Sequence, residues 1–214
     1  MDIHPALLAV IVFGAAFAQG FSGFGYGILA MAMLSLLTPG LERVSVFITL
    51  TVTFLVITLL IRSRRDVRID WRQAGLLVLG ILAGGPLGYW FVLRQGDLPI
   101  CRVTFGAVLI LFALNGLLKP HIRRRLPTAL APLFGFFSGL LSGAFSSGGP
   151  PIVLYLFVQE DDPRRAVGTV QAVFLASSLY RLVIVGLGER GYTTDLMILA
   201  GTMIPVVILG TLTG

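Results

Sequence analysis

The sequence predicts an all-α protein: a polytopic transmembrane helical bundle of two homologous repeats, with helices broken at Gly/Ser/Pro-rich centres. Composition is the first reason. Of 214 residues, 56% are hydrophobic and only 12% are charged, with a mean hydropathy of +0.93. A soluble domain carries about 25% charge, so this chain has too little polar surface to face water all round. Second, apolar runs follow one another along the chain, many near the roughly 20 residues that a span needs. Third, the two halves align at an offset of 122–123 residues.

The first repeat covers 1–118 and opens with a broken element over 5–37. Ala16-Phe17-Ala18 before Gln19 has the small-x-small form of a signal cleavage site. No Lys or Arg precedes the run, and the apolar character continues past the site, so retention as a first membrane element is the better reading. Spans over 44–61, 74–93 and 101–118 follow. The second repeat covers 126–214, with a broken element over 128–158 and spans over 166–187 and 195–214. A counterpart of 101–118 is missing. The repeat spacing predicts either a natural protein about 30 residues longer or the loss of that last helix.

Charge sets the orientation. Nine of the sixteen Lys and Arg residues sit in two segments, 62–73 and 119–127. Short basic loops mark the cytoplasmic side, which gives a multi-pass protein of the cell inner (plasma) membrane with both loops inside. Two spans separate these loops, so the signals agree. The basic patches are therefore topology signals rather than a nucleic-acid surface. The single cysteine, Cys101, excludes an internal disulfide and most metal clusters, and no cofactor is expected.

The two broken elements are too long to be straight spans. Some 33 helical residues extend about 50 Å, against a hydrocarbon core of roughly 30 Å. Gly20, Gly23, Gly25 and Gly27 mark the first break; Gly143, Gly148 and Gly149, followed by Pro150 and Pro151, mark the second. Non-helical backbone at membrane depth survives only against protein or a wet cavity, and paired breaks of this kind point to a transport site. Each stretch ends in a short Pro-containing charged hinge, at 38–43 and 159–165. The second, with three acids against two arginines, reads as an outside loop. That favours parallel halves, each long stretch crossing once; re-entry and return would instead make them inverted.

The candidate binding residues come from these breaks. Helix starts after a break present free N–H groups and a positive dipole end. The candidates are Ser22, Gly23 and Gly25 in the first half, and Ser146, Ser147, Gly148, Gly149 and Pro150 in the second. Gln171 and Arg181 complete the set. Buried amides such as Gln19, Gln171 and Asn115 are also well explained by interhelical hydrogen bonds. No carboxylate lies in the interior of a predicted span, so the usual acid for proton or sodium coupling is missing. Donors without carboxylates suit an oxyanion. Arg181 is the one charge well inside a span; it either neutralises the anion or snorkels towards the end near Gly188. Gly80, Gly84 and Gly88, like Gly135, Gly139 and Gly143, recur every four residues, which is helix-packing spacing.

An intramembrane serine enzyme is the rival from another class, because Gly20-Phe21-Ser22-Gly23 has a Gly-x-Ser-Gly form. A serine nucleophile needs a base within reach, and the only histidines, His4 and His121, lie outside the predicted spans. The chain therefore does not read as an enzyme. A non-transporting membrane subunit or an anion channel is the alternative that the helices alone leave open.

Four stretches carry a resemblance: GFSGFGYG at 20–27, AGGPLGYW at 83–90, SGAFSSGGPP at 142–151 and DPRRAVGTVQAVF at 162–174. In order and repetition they resemble the sulfite exporter TauE/SafE family, also called the 4-toluene sulfonate uptake permease family. The resemblance covers essentially the whole chain. It implies a secondary carrier or exporter of a small anionic substrate such as sulfite, a sulfonate or a related sulfur-containing or carboxylated compound. It also implies seven or eight spans in a lipid bilayer. The chain departs from the family pattern in its missing last span and its imperfect first glycine cluster. Substrate, direction, coupling ion and oligomeric state stay open.

Overall fold

A computed structural model describes residues 3–63, 68–95, 126–188 and 191–214, with Leu98 and isolated positions between 103 and 111. Most of the predicted span 101–118, the Asn115 amide and most of the loop 119–127 lie outside the described residues. The described part is helical: α1 (Pro5–Ser22), α2 (Tyr26–Leu37), α3 (Leu41–Ser63), α4 (Trp71–Gln95), α5 (Ala131–Phe145), α6 (Gly149–Gln159), α7 (Pro163–Leu187) and α8 (Thr194–Thr213). A 3₁₀ turn over Thr128–Leu130 leads into α5. Among the described residues, six helical segments are long and apolar enough to cross a membrane: α1, α3, α4, the 3₁₀ turn with α5, α7 and α8. α2 and α6 are apolar but shorter.

Local chemistry sets the helix ends. The α1 start is a His4 cap with Pro5 at the first position, and Asp162 with Pro163 does the same for α7. Asp70 Oδ1 accepts from the Arg72 and Gln73 amides and so caps α4 (both 3.1 Å). In α3 the buried threonines Thr49, Thr51 and Thr53 donate back to carbonyls four residues earlier. That return bond makes a hydroxyl tolerable in an apolar span.

Which residues touch shows which way each helix runs. Gly135 sits on Leu77, Gly139 on Ile81 and Gly143 on Gly85, so α4 and α5 run side by side in one direction. The contact is backbone on backbone. A Cβ at Gly84 would lie 2.2 Å from Phe136 O, and one at Gly143 would lie 2.2 Å from Gly85 O. Six glycines at four-residue spacing thus let two helices approach without side chains between them. The α1–α8 pair repeats the arrangement, with Gly210 on Phe13 and Gly214 on Phe17, again in parallel. These are the two most extensive helix contacts, and each joins a helix before a break to the last described helix of the other half.

The long stretches turn back at their breaks. Gln159 Nε2, at the end of α6, donates to Leu126 O, just before α5, at 2.5 Å. α5 and α6 therefore form a hairpin whose two ends lie on one side of the bundle. α2 starts with Tyr26 Oη on Thr51 Oγ1 (2.7 Å), halfway along α3, and its end at Leu37 is joined to the start of α3 at Leu41 by a short turn. α2 therefore runs against α3. The ends of α3 and α8 meet, since Arg62 Nη1 donates to Thr211 O at 2.9 Å. On that same face Arg165, at the start of α7, pairs with Asp70 (3.1 Å), just before α4. So α1 and α3 run towards this face while α5 and α7 run away from it.

Parallel halves with an outside 159–165 hinge are therefore corrected: Arg165 of the hinge meets Asp70, just before α4, on the side read as cytoplasmic. Its acids misled because they serve local structure. Glu160 pairs with Arg165 at 3.2 Å and Asp162 caps α7. Acidic residues count little in the topology rule, which is carried by Lys and Arg.

Candidate functional site

Both breaks are left-handed helix stops. Gly23 (φ 82°) closes α1 and Ser146 (φ 53°) closes α5. Gly25 (φ 116°) then opens α2. The two breaks are neighbours in space: a Cβ at Gly27 would sit 2.1 Å from Ser146 O. Only glycine allows that approach, because any side chain would push the two hairpins apart.

A cavity of about 60 Å³ lies where the hairpins meet α3 and α7. A single water needs about 10–15 Å³, so several waters or a small anion fit. Gln19, Gly25 and Gly27 line it from the first break, and Ser146, Ser147, Gly148 and Gly149 from the second. Thr49 and Val52 of α3, Ser138 and Ser142 of α5, and Phe174, Ser177, Ser178 and Arg181 of α7 complete most of the wall.

Arg181 is 3% exposed and does not snorkel. Its Nη1 donates to Ser45 O (3.1 Å) and to the hydroxyls of Thr49 and Ser146. Its Nη2 donates to Gly143 O (2.9 Å) and to Ser45 Oγ (2.5 Å). Every one of these acceptors is neutral. No carboxylate pairs with Arg181 among the described residues. Its Nε has no hydrogen-bond partner. A buried cation without a counter-charge is costly, so this position favours an anion.

Gln19, 2% exposed, spans the first break. Its Oε1 accepts from the Tyr26 amide at 2.9 Å, while Nε2 has no partner. Among the described residues, two side chains of the cavity wall, Arg181 and Gln19, each carry a buried N–H group without a hydrogen-bond partner. Near the second break the hydroxyls are mostly engaged: Thr49 with Ser146 (2.8 Å), Ser142 with Ser177 (3.0 Å), and Ser138 with Gly148 O (2.6 Å). Pro150 and Pro151 have no N–H, so the first turn of α6 offers fewer amides than an ordinary helix start.

Of the residues predicted for the site, Gly25, Ser146, Ser147, Gly148, Gly149 and Arg181 line the cavity. The others stand apart. Ser22 is exposed and turns back to Ala18 O and Phe24 O (both 2.6 Å). Gly23 gives its carbonyl to Gln171 Nε2 at 2.5 Å, so Gln171 braces the first break rather than lining the cavity. Pro150 is buried in the first turn of α6, outside the lining. Thr49, Ser177 and Ser178 were missed. Their signal was present: Ser177, Ser178 and Arg181 are three and four residues apart, hence on one helix face. Ser45 and Thr49 share a face of α3 in the same way.

Apolar helices, two hairpins turning back inside the bundle, and a buried cation at their meeting point define a multi-pass membrane protein of transporter type. The chain belongs to the sulfite exporter TauE/SafE family: that family's model matches residues 8–214. It is similar to the probable sulfite/organosulfonate exporter TauE of Cupriavidus necator, with 26% identity over 211 residues, 97% of this chain and 81% of that protein. No solved structure matches the chain. The family's named activity is transport, not catalysis.

Proposed function

We propose that this chain is a secondary carrier of a small oxyanion, sulfite or a sulfonate, and that it binds the anion between the two helix breaks. The observation that carries the reading is Arg181: it is buried, pairs with no carboxylate among the described residues, and lines the cavity between the breaks together with Gln19. Gly25, Gly148 and Gly149 bring backbone close to the bound ion, and Ser146 and Thr49 orient the guanidinium. The 1–118 and 126–214 segments act as two inverted repeats. Opposite helix directions and the matching left-handed stops at Gly23 and Ser146 support this. Inverted repeats around a midplane site suit alternating access, in which one hairpin-bearing unit rocks against the other. The membrane is the cell inner membrane, with 62–73, 119–127 and the 159–165 hinge on the cytoplasmic side.

The name of the Cupriavidus necator relative supports sulfite or an organosulfonate as cargo. Purified protein in liposomes tests the reading directly. Labelled sulfite or methanesulfonate is expected to enter in a saturable way, to exchange faster against internal unlabelled anion, and to lose uptake in Arg181→Gln. Flux that never saturates would favour an anion channel. Absence of flux with intact folding would favour a non-transporting subunit.

A further inference from the structure

We infer that the cavity selects its anion by charge, taking singly charged oxyanions and rejecting doubly charged ones of the same shape. This rests on the carrier reading above. Among the described residues the fixed charge in the cavity wall is one guanidinium, Arg181, whose oxygen partners, from Ser45, Thr49, Gly143 and Ser146, are all neutral. The ionisable side chains that act on it, Tyr89 and Tyr192, are phenols rather than carboxylates. Glu42, one turn before Ser45 on α3, is not among the residues that line the cavity.

A monoanion beside Arg181 leaves the occupied cavity neutral. A dianion leaves a net negative charge buried among hydroxyls and apolar side chains, and an uncompensated buried charge is strongly unfavourable. The remaining donors do not change the sum. Gln19 Nε2 is neutral, and most lining hydroxyls already bond to protein oxygens. The rest of the wall is apolar: Ile28, Val52, Ile152 and Phe174. It accommodates an organic substituent and offers nothing to a second negative charge. Of the cargo class, sulfonates and hydrogensulfite fit, while the sulfite dianion and sulfate do not.

Two ligands of one shape separate charge from fit. Methanesulfonate stays a monoanion across the neutral range, whereas methylphosphonate passes from monoanion to dianion. Isothermal titration of the purified full chain in lipid nanodiscs, repeated from mildly acid to mildly alkaline pH, gives both affinities. Methylphosphonate is expected to weaken by at least about tenfold as it becomes a dianion, while methanesulfonate holds constant. A methylphosphonate affinity that holds or rises through its second ionisation, with methanesulfonate bound throughout, overturns charge selection and leaves the carrier reading standing. Binding of neither compound overturns both.

Discussion

Gly23 and Ser146 end their helices with the same left-handed turn, yet different groups hold the two turns in place. The first break is braced by amides. Gln171 Nε2 reaches Gly23 O from α7, and Gln19 Oε1 reaches the Tyr26 amide across the gap. The second is braced by hydroxyls and a cation, with Ser146 Oγ bonded to Ser45 O (2.8 Å), Thr49 and Arg181. Backbone at the centre of a membrane bundle needs only partners, and either chemistry supplies them. Charge is a separate matter. Arg181 sits where α7 passes the second break, and α3 has no arginine where it passes the first. Among the described residues, two similar breaks thus meet at one charged side chain.

The largest expected effect breaks the comparison outright. Arg181→Gln removes the guanidinium at the second break and should weaken sulfonate binding by roughly 100-fold, about 3 kcal/mol, in titration of the purified protein. Unchanged affinity would move the site elsewhere. Ser146→Ala keeps the guanidinium but removes a hydroxyl that orients it. Affinity should fall about tenfold, near the value of one hydrogen bond to a charged group. Gly23→Ala puts a Cβ at φ 82° at the first break, with Val167 only at ordinary contact distance, 3.5 Å. It should cost about 1–2 kcal/mol of stability in thermal unfolding and leave affinity intact, which would separate a structural break from a binding one. A loss of affinity there as large as in Ser146→Ala would make the two breaks equal partners. Smallest is Arg165→Gln. Arg165 is 44% exposed in its pair with Asp70, so its loss should cost below about 1 kcal/mol and shrink further in high salt.

The spans were legible because lipid imposes a simple rule: long apolar runs, charges outside. Helices α3, α4, α7 and α8 begin one to three residues before the predicted runs because their polar first turns still belong to the helix. The glycine ladders were legible too, since Gly80, Gly84 and Gly88 at four-residue spacing lie on one helix face. Arg181 stood out as the one charge in an apolar span. The hairpins were not legible. A 33-residue stretch with a glycine break is compatible with one bent crossing or with return, and the acidic 159–165 hinge pointed to the wrong side. The roles of Ser45, Thr49 and Gln19 were hidden as well. Their partners lie far away in the chain, and a hydroxyl or amide in a span carries no mark of which helix it will meet.

By itself the sequence determined that this chain lives in a bilayer, where it breaks, and which side chain brings charge inside. Those properties are local, fixed by the cost of placing polar backbone or charge in hydrocarbon. Only the tertiary structure decided that the breaks turn back and meet, that Arg181 faces a shared cavity rather than the interface, and that two buried N–H groups there stay unsatisfied. Helix direction and side-chain partnership depend on packing between segments about a hundred residues apart, and no local pattern encodes them.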